Sequence, residues 1–182
     1  KVKKIVILAV CAFVVILLLG SCFTVVPTGS SGVVMTLGKV SDTPLSEGLH
    51  FKATLIQQVV IVSNKIQVQE VNADSVSKDL QAVQSVIAVN FKVANNYSCS
   101  IYQNIGPNYQ EIVFLPAVQE SVKSVSAKYT AEQLITMRPQ VGEEIKQTLE
   151  EKVAEYGIIV EKFNIVDFEF SAEFNSAIEA KQ

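Results

Sequence analysis

The chain has 182 residues, 49% of them apolar, and a formal net charge of −3. Lys1, Lys3 and Lys4 are the only charges in the first 26 residues, which leaves 12 basic and 18 acidic groups, a net of −6, in residues 27–182. An acidic domain without a Lys/Arg cluster argues against nucleic acid as the main ligand. One histidine, three cysteines and no CxxC give no grounds to expect a zinc site or any other cofactor.

Residues 5–19, IVILAVCAFVVILLL, carry no polar side chain. Continued through Gly20 to Val26 they would make a helix of roughly 33 Å at about 1.5 Å per residue, against a hydrocarbon core of about 30 Å. Ile5, Phe13, Leu18, Phe23 and Val26 are its expected membrane-anchor residues. The lysines before it favour a cytoplasmic N-terminus, which puts the rest of the chain on the outer face, of an inner or plasma membrane if the source is bacterial. A second reading fits the same stretch. Leu19-Gly20-Ser21-Cys22 resembles a lipoprotein cleavage box, and a basic start with an apolar run suits a signal peptide. Lipidation at Cys22 would make the chain an extracytoplasmic lipoprotein with a ligand-binding role. Phe23, Val25 and Val26 prolong the apolar stretch where a lipoprotein turns polar, so the uncleaved anchor is the preferred reading.

Pro27 to Gly32 is turn-rich. Val33–Val40 reads as a strand, Leu49–Ala53 as a short extended piece, and residues 57–71 as glutamine-rich, β-branched strands. Val83, Ile87, Val89, Phe91 and Val93 alternate on one face of the clearest strand, with Ser85 interrupting them. The period then changes. Ile112, Leu115, Val118, Val122, Val125 and Tyr129 share a helical face, with Pro116 kinking or restarting the helix. Thr130 and Gln133 suit a capping box. Val141, Ile145, Leu149, Val153 and Tyr156 stripe a further helix that Gly157 can close. Ile158–Phe170 reads as a strand, and Ser171 can cap a last helix. The predicted class is α+β: an N-terminal transmembrane helix (1–26), a domain of antiparallel sheet with packed helices (27–170), and the start of an exit helix (171–182).

The residues that could carry chemistry do not assemble. His50 has no second histidine and reads as structural; Cys99 has no base near it in sequence. Glu143-Glu144 and Glu150-Glu151 are adjacent on a helix, so each pair diverges by about 100° and reads as a solvated face. No catalytic residue is expected, and the chain is not expected to be an enzyme. An apolar seam does run across the domain's exit. Phe168 and Phe170 sit two apart on a strand, and Phe174 and Ile178 sit four apart on a helix. They are the expected contact surface between copies.

Several stretches together are distinctive: SKDLQAV (77–83), NIGPNYQEIVFLPAVQESVKSVSAKYTAEQLIT (104–136), Arg138, Tyr156-Gly157-Ile158 and EFNSAIEAKQ (173–182), with GLHF (48–51). With these the sequence resembles the prohibitin branch of the band-7 family, also called SPFH, which includes stomatins and flotillins. It departs from the pattern at Thr54, where a proline is usual, and at Ser63 and Lys65, where an acidic residue and an arginine are common. The resemblance implies a non-catalytic scaffold anchored in membrane lipid. Its copies, homo- or hetero-oligomeric with a paralogue, would close into a large ring or cage around a membrane patch. It implies an association with membrane microdomains and control of an AAA+ membrane protease. It also implies a coiled coil following AIEAKQ.

Overall fold

A computed structural model describes residue 13 and residues 21–170. Three antiparallel sheets form its β part. Strand β1 (Phe23–Val26) pairs only with β4 (Gly48–Phe51); β2 (Ser30–Thr36) lies between β3 (Lys39–Val40) and β5 (Gln57–Ser63); and β7 (Ala82–Val93) lies between β6 (Gln67–Val76) and β8 (Ile158–Phe170). Four helices follow the third sheet's first hairpin: α1 (Ser98–Asn104), α2 (Leu115–Ser126), α3 (Ala131–Thr136) and α4 (Arg138–Val153). Helix α2 packs on β6, α4 on β8, and the two on each other, so one face of the β6-β7-β8 sheet is covered. The α+β expectation for the domain holds.

The alternation read in β7 is the spine of the core. Val83, Ile87, Val89, Phe91 and Val93 are all buried, and Ser85, on the same face, is buried with them. Val141, Ile145, Leu149 and Val153 are fully buried from α4. Truncating Phe91 to alanine would cost about 3–5 kcal/mol, because nothing else can fill its place against Phe114, 3.9 Å away between ring centroids.

The helix before α2 corrects one expectation. Residues Gln110–Phe114 form a π-turn that runs into α2, with Pro116 in the first turn of the regular helix. The wider turn adds a residue and rotates the stripe. Ile112, expected on the core face, is 58% exposed, and Phe114 takes the core position at 0%. The Thr130–Gln133 capping box forms in both directions. Gly157 closes the α4 region in the left-handed conformation, φ 69°, and a β-carbon there would sit 2.0 Å from the Tyr97 ring, so only glycine fits.

The second correction is at the N-terminal end. Phe23–Val26, expected to finish the apolar helix, are a strand: their backbone pairs with β4 in the register Phe23↔Phe51 to Val26↔Gly48. Val26 is 2% exposed and packs into the domain over Gly32, where a β-carbon would come within 2.9 Å of it. The β-branched pair Val25-Val26 gains more from a ladder and this burial than from a helix. Phe13 is helical and 63% exposed. Ile5 and Leu18 lie outside the described residues, as do Phe174, Ile178 and the segment 171–182. Among the described residues no helix is long and apolar enough to cross a membrane.

Candidate membrane and assembly surfaces

The ribbon β1-β4 shows two kinds of face. Alternation places Phe23, Val25, Leu49 and Phe51 on one side as directly opposed pairs, at 54, 64, 65 and 70% exposure. The rings of Phe23 and Phe51 meet edge to face, 5.9 Å apart. Leu55 and Ile56 follow β4 at 84% and 47%, and Leu37, 80% exposed at the β2–β3 turn, is tied to them by its N–H donating to the Ile56 carbonyl at 2.9 Å. Seven large apolar side chains thus lie in water around one end of the domain, a far denser cluster than single exposed residues.

That end is where the oily run enters. The Lys52 N–H donates to the Cys22 carbonyl at 2.7 Å. The Ser21 hydroxyl donates to Thr54 Oγ1 at 3.2 Å, and Thr54 Oγ1 donates to Cys22 Sγ at 3.6 Å. Thr54, unlike a proline there, offers a hydroxyl that stitches residues 21–22 to the loop after β4. Lys65, another departure, lays its aliphatic stem over Gly29.

The residues considered for chemistry stay apart. His50 Nε2 bonds the Ser46 carbonyl at 2.7 Å. Cys99 is 3% exposed, and burial together with the Asp42 charge pushes its thiol pKa up, away from thiolate. Glu144 accepts from Lys128 and from the Tyr129 hydroxyl at 2.6 Å, Glu150 pairs with Lys146 at 3.5 Å, and neither shares its partner with the adjacent glutamate. Among the described residues no group of three His, Cys, Asp or Glu could hold a metal.

The SKDLQAV stretch has a positional job. It forms the β6–β7 turn, in which the Asp79 carboxylate accepts from the Ser77 hydroxyl at 2.6 Å and from the Ala131 N–H at 3.0 Å. The Ser77 bond is the largest effect and holds Asp79 below its ordinary pKa; burial opposes it, and the Ala131 N–H adds a smaller lowering. Lys78 N–H donates to the Tyr129 carbonyl at 2.8 Å, so this turn clamps the start of α3.

Phe168 and Phe170 are half-buried and pack against the domain's own core, with ring centroids 6.3 Å apart. They lie on the helix-covered face because β8 is bulged twice. Its inward residues, Ile158, Val160, Phe163, Ile165, Phe168 and Phe170, are spaced 2, 3, 2, 3, 2, and the register jumps at Glu161 and Val166. Arg138, at the start of α4, reaches the second jump. Its Nη2 donates to the Ile165 carbonyl at 2.7 Å and to the Val166 carbonyl at 2.9 Å, and the guanidinium stands 5.8 Å from the Phe168 ring centre. Neither the ribbon nor this lash was visible to helical and strand periodicity, though the 2-3-2-3-2 spacing was there to be read.

Residues 24–182 match the model of the SPFH domain / Band 7 family. The chain is 37% identical to Prohibitin-2 of Mus musculus over 145 residues, which is 80% of this chain and 48% of that protein. It is 32% identical to Prohibitin-1 of Colletotrichum higginsianum over 176 residues, 96% of this chain and 64% of that one. It is 33% identical to "Prohibitin-7, mitochondrial" of Arabidopsis thaliana over 143 residues, 79% of this chain and 51% of that one. The chain spans about half the length of the animal Prohibitin-2 relatives it matches and 64% of the fungal Prohibitin-1. These matches lend no support to a lipidated Cys22. The chain belongs to the SPFH/band-7 family, as a prohibitin-like member.

Proposed function

We propose that the protein is a non-catalytic, membrane-anchored scaffold whose copies join into a large closed ring or cage around a patch of membrane. The observation that carries this reading is the seven-residue apolar face around Phe23 and Phe51. It stands beside Cys22, the point where the uncharged run 5–19 joins the domain. A helix and an apolar ribbon at the same end fit a domain that sits on the bilayer rather than on a tether above it. With the lysines inside, the domain lies on the extracytoplasmic side. In this reading Phe174 and Ile178, with the part of Phe168 and Phe170 that the domain's own core leaves uncovered, meet a neighbouring copy. A repeated head-to-tail contact closes into a ring, and confinement to the membrane plane raises the effective concentration of each weak contact. The enclosed patch is a microdomain, and an AAA+ membrane protease is the partner whose access such a wall would control.

The test is the particle itself. Full-length protein extracted in mild detergent should run as a large assembly and image as a closed particle. Phe174→Asp with Ile178→Asp should disperse it while the monomer stays folded and membrane-bound. A parent protein that extracts as a monomer would overturn the scaffold; a particle that survives the double substitution would move the contact away from the seam.

A further inference from the structure

We propose that Arg138 is a positioning residue: it pins the Val166 bulge of β8, and so fixes on which face the chain carries Phe168 and Phe170 as it leaves the domain. In a regular strand successive carbonyls point to opposite sides, and one donor cannot serve two in a row. Here a single nitrogen, Nη2, reaches the carbonyls of Ile165 and Val166 at 2.7 and 2.9 Å. That is possible only because the bulge turns both the same way. The extra residue also sets the phase of everything after it. With the bulge, Phe168 stands opposite Ser85 and Phe170 opposite Val83, both on the helix-covered face, while Asp167 and Glu169 point away. Without it, a one-residue shift would turn both acids inward and both phenylalanines outward. The strand would then either leave the ladder or exchange registers, and the exit would lose its direction.

Three features suit Arg138 to this work. It begins α4, whose Val141 and Ile145 are fully buried, so its base does not move. Its Nη2 carries two N–H donors fixed in the guanidinium plane, one for each carbonyl, whereas a lysine ammonium is a freely rotating donor on a flexible stem. Its guanidinium lies within cation–π range of Phe168, the first aromatic after the bulge. The bulge at Glu161 has a different support, an ion pair from Glu161 to Lys92 at 2.6 Å across the outer face. The pin at Val166 is therefore specific to the end of the strand that leads out. The local register stands on the domain alone; its consequence for assembly rests on the scaffold reading above.

The test uses two cross-strand cysteine pairs in the full-length protein, read by mass spectrometry of the linked peptides. Gln84→Cys with Glu169→Cys reports the register beyond the bulge, since these two residues face each other across β7 and β8. Asn72→Cys with Val86→Cys, opposed across β6 and β7, is the control. Arg138→Met should lower the first crosslink several-fold and leave the second unchanged. Arg138→Lys should restore it in part. Equal crosslinking of the first pair in Arg138→Met and the parent overturns the proposal. If Arg138→Met loses both crosslinks through unfolding, Arg138→Lys decides: a folded protein with full crosslinking overturns the pin, and reduced crosslinking supports it. In detergent-extracted particles Arg138→Met should change the diameter or scatter it. An unchanged particle with the first crosslink lost overturns the tie between exit direction and assembly. Absence of a particle in the parent overturns the scaffold reading instead.

Discussion

The side-chain amide of Asn64 donates to the carbonyl of Val93 at 2.9 Å, and this bond joins two sheets that share no strand. The same Nδ2 donates to the Ser98 hydroxyl at 3.0 Å, at the start of α1, while Oδ1 accepts from Ser31 on β2 at 2.7 Å. One residue in the β5–β6 connection therefore ties β2, the end of β7 and α1 together. It fastens the ribbon-bearing half of the domain to the helix-bearing half.

Asn64→Ala should remove three bonds and leave the Val93 carbonyl and the Ser98 hydroxyl unpaired. The expected cost is roughly 2–3 kcal/mol, taking about 1 kcal/mol for each bond with the larger penalty for orphaned groups. Asn64→Asp should cost at least as much near neutral pH, because a carboxylate oxygen would face the Val93 carbonyl. Urea denaturation of the full-length protein in mild detergent, followed by circular dichroism, measures both. Stability equal to the parent in both variants would show that the halves are held by packing alone.

Glu144 links α4 to the segment before α3. Its charge is stabilised first by the Lys128 ammonium and then by the Tyr129 hydroxyl, and its pKa lies below the usual carboxylate value as a result. A depressed folded pKa gives stability that is fully present above the unfolded value and is lost as pH falls through the folded one. The bond has the opposite effect on Tyr129. Acceptance by Glu144 raises the phenol pKa, so its share is present below the unfolded value near 10 and is lost as pH rises through the folded one. This cluster predicts a urea midpoint that falls in acid and again in strong alkali. Glu144→Gln should flatten both limbs, and Tyr129→Phe mainly the alkaline one. A pH profile unchanged by Glu144→Gln would remove the cluster from the account.

Much of this was legible in the sequence, and the exceptions have physical causes. β7 could be read because its inward side chains alternate without a break from Val83 to Val93 apart from Ser85, as a half-buried strand requires. α4 and the Thr130 cap could be read because their signals are local. Ile112 was misplaced because a π-turn adds a residue that a 3.6-residue stripe does not anticipate. β8 read as one plain strand, although its apolar spacing already encoded two bulges. Phe23–Val26 were assigned to the helix before them because hydropathy alone does not distinguish an apolar strand from the last turn of an apolar helix. What separates them is β4, 22 residues further on, which supplies the backbone partners. The partition into three sheets and the bridging part of Asn64 depend wholly on such distant pairings.

The apolar ribbon yields the remaining prediction. Phe23, Val25, Leu49 and Phe51 contribute little to the domain's own core, since each is more than half exposed. Leu49→Asp with Phe51→Asp should therefore leave the fold's stability nearly unchanged, within the small range of surface substitutions. Its effect should appear at the bilayer. A photoactivatable diazirine side chain placed at Phe51 or Leu55 of the full-length protein in phospholipid vesicles should crosslink to lipid. The same probe at Glu70, exposed on the uncovered face of the β6-β7-β8 sheet, should give several-fold less. Carboxylates at 49 and 51 should abolish lipid crosslinking from Leu55, because a charge held at an apolar depth costs more than lifting that end of the domain into water. On the proposed reading of residues 5–19 as the anchor, the protein would still be held in the membrane fraction, so the loss would report on the ribbon and not on attachment. Equal lipid labelling from Phe51 and Glu70 would mean that the domain stands clear of the bilayer. The apolar face would then have to be covered by protein instead.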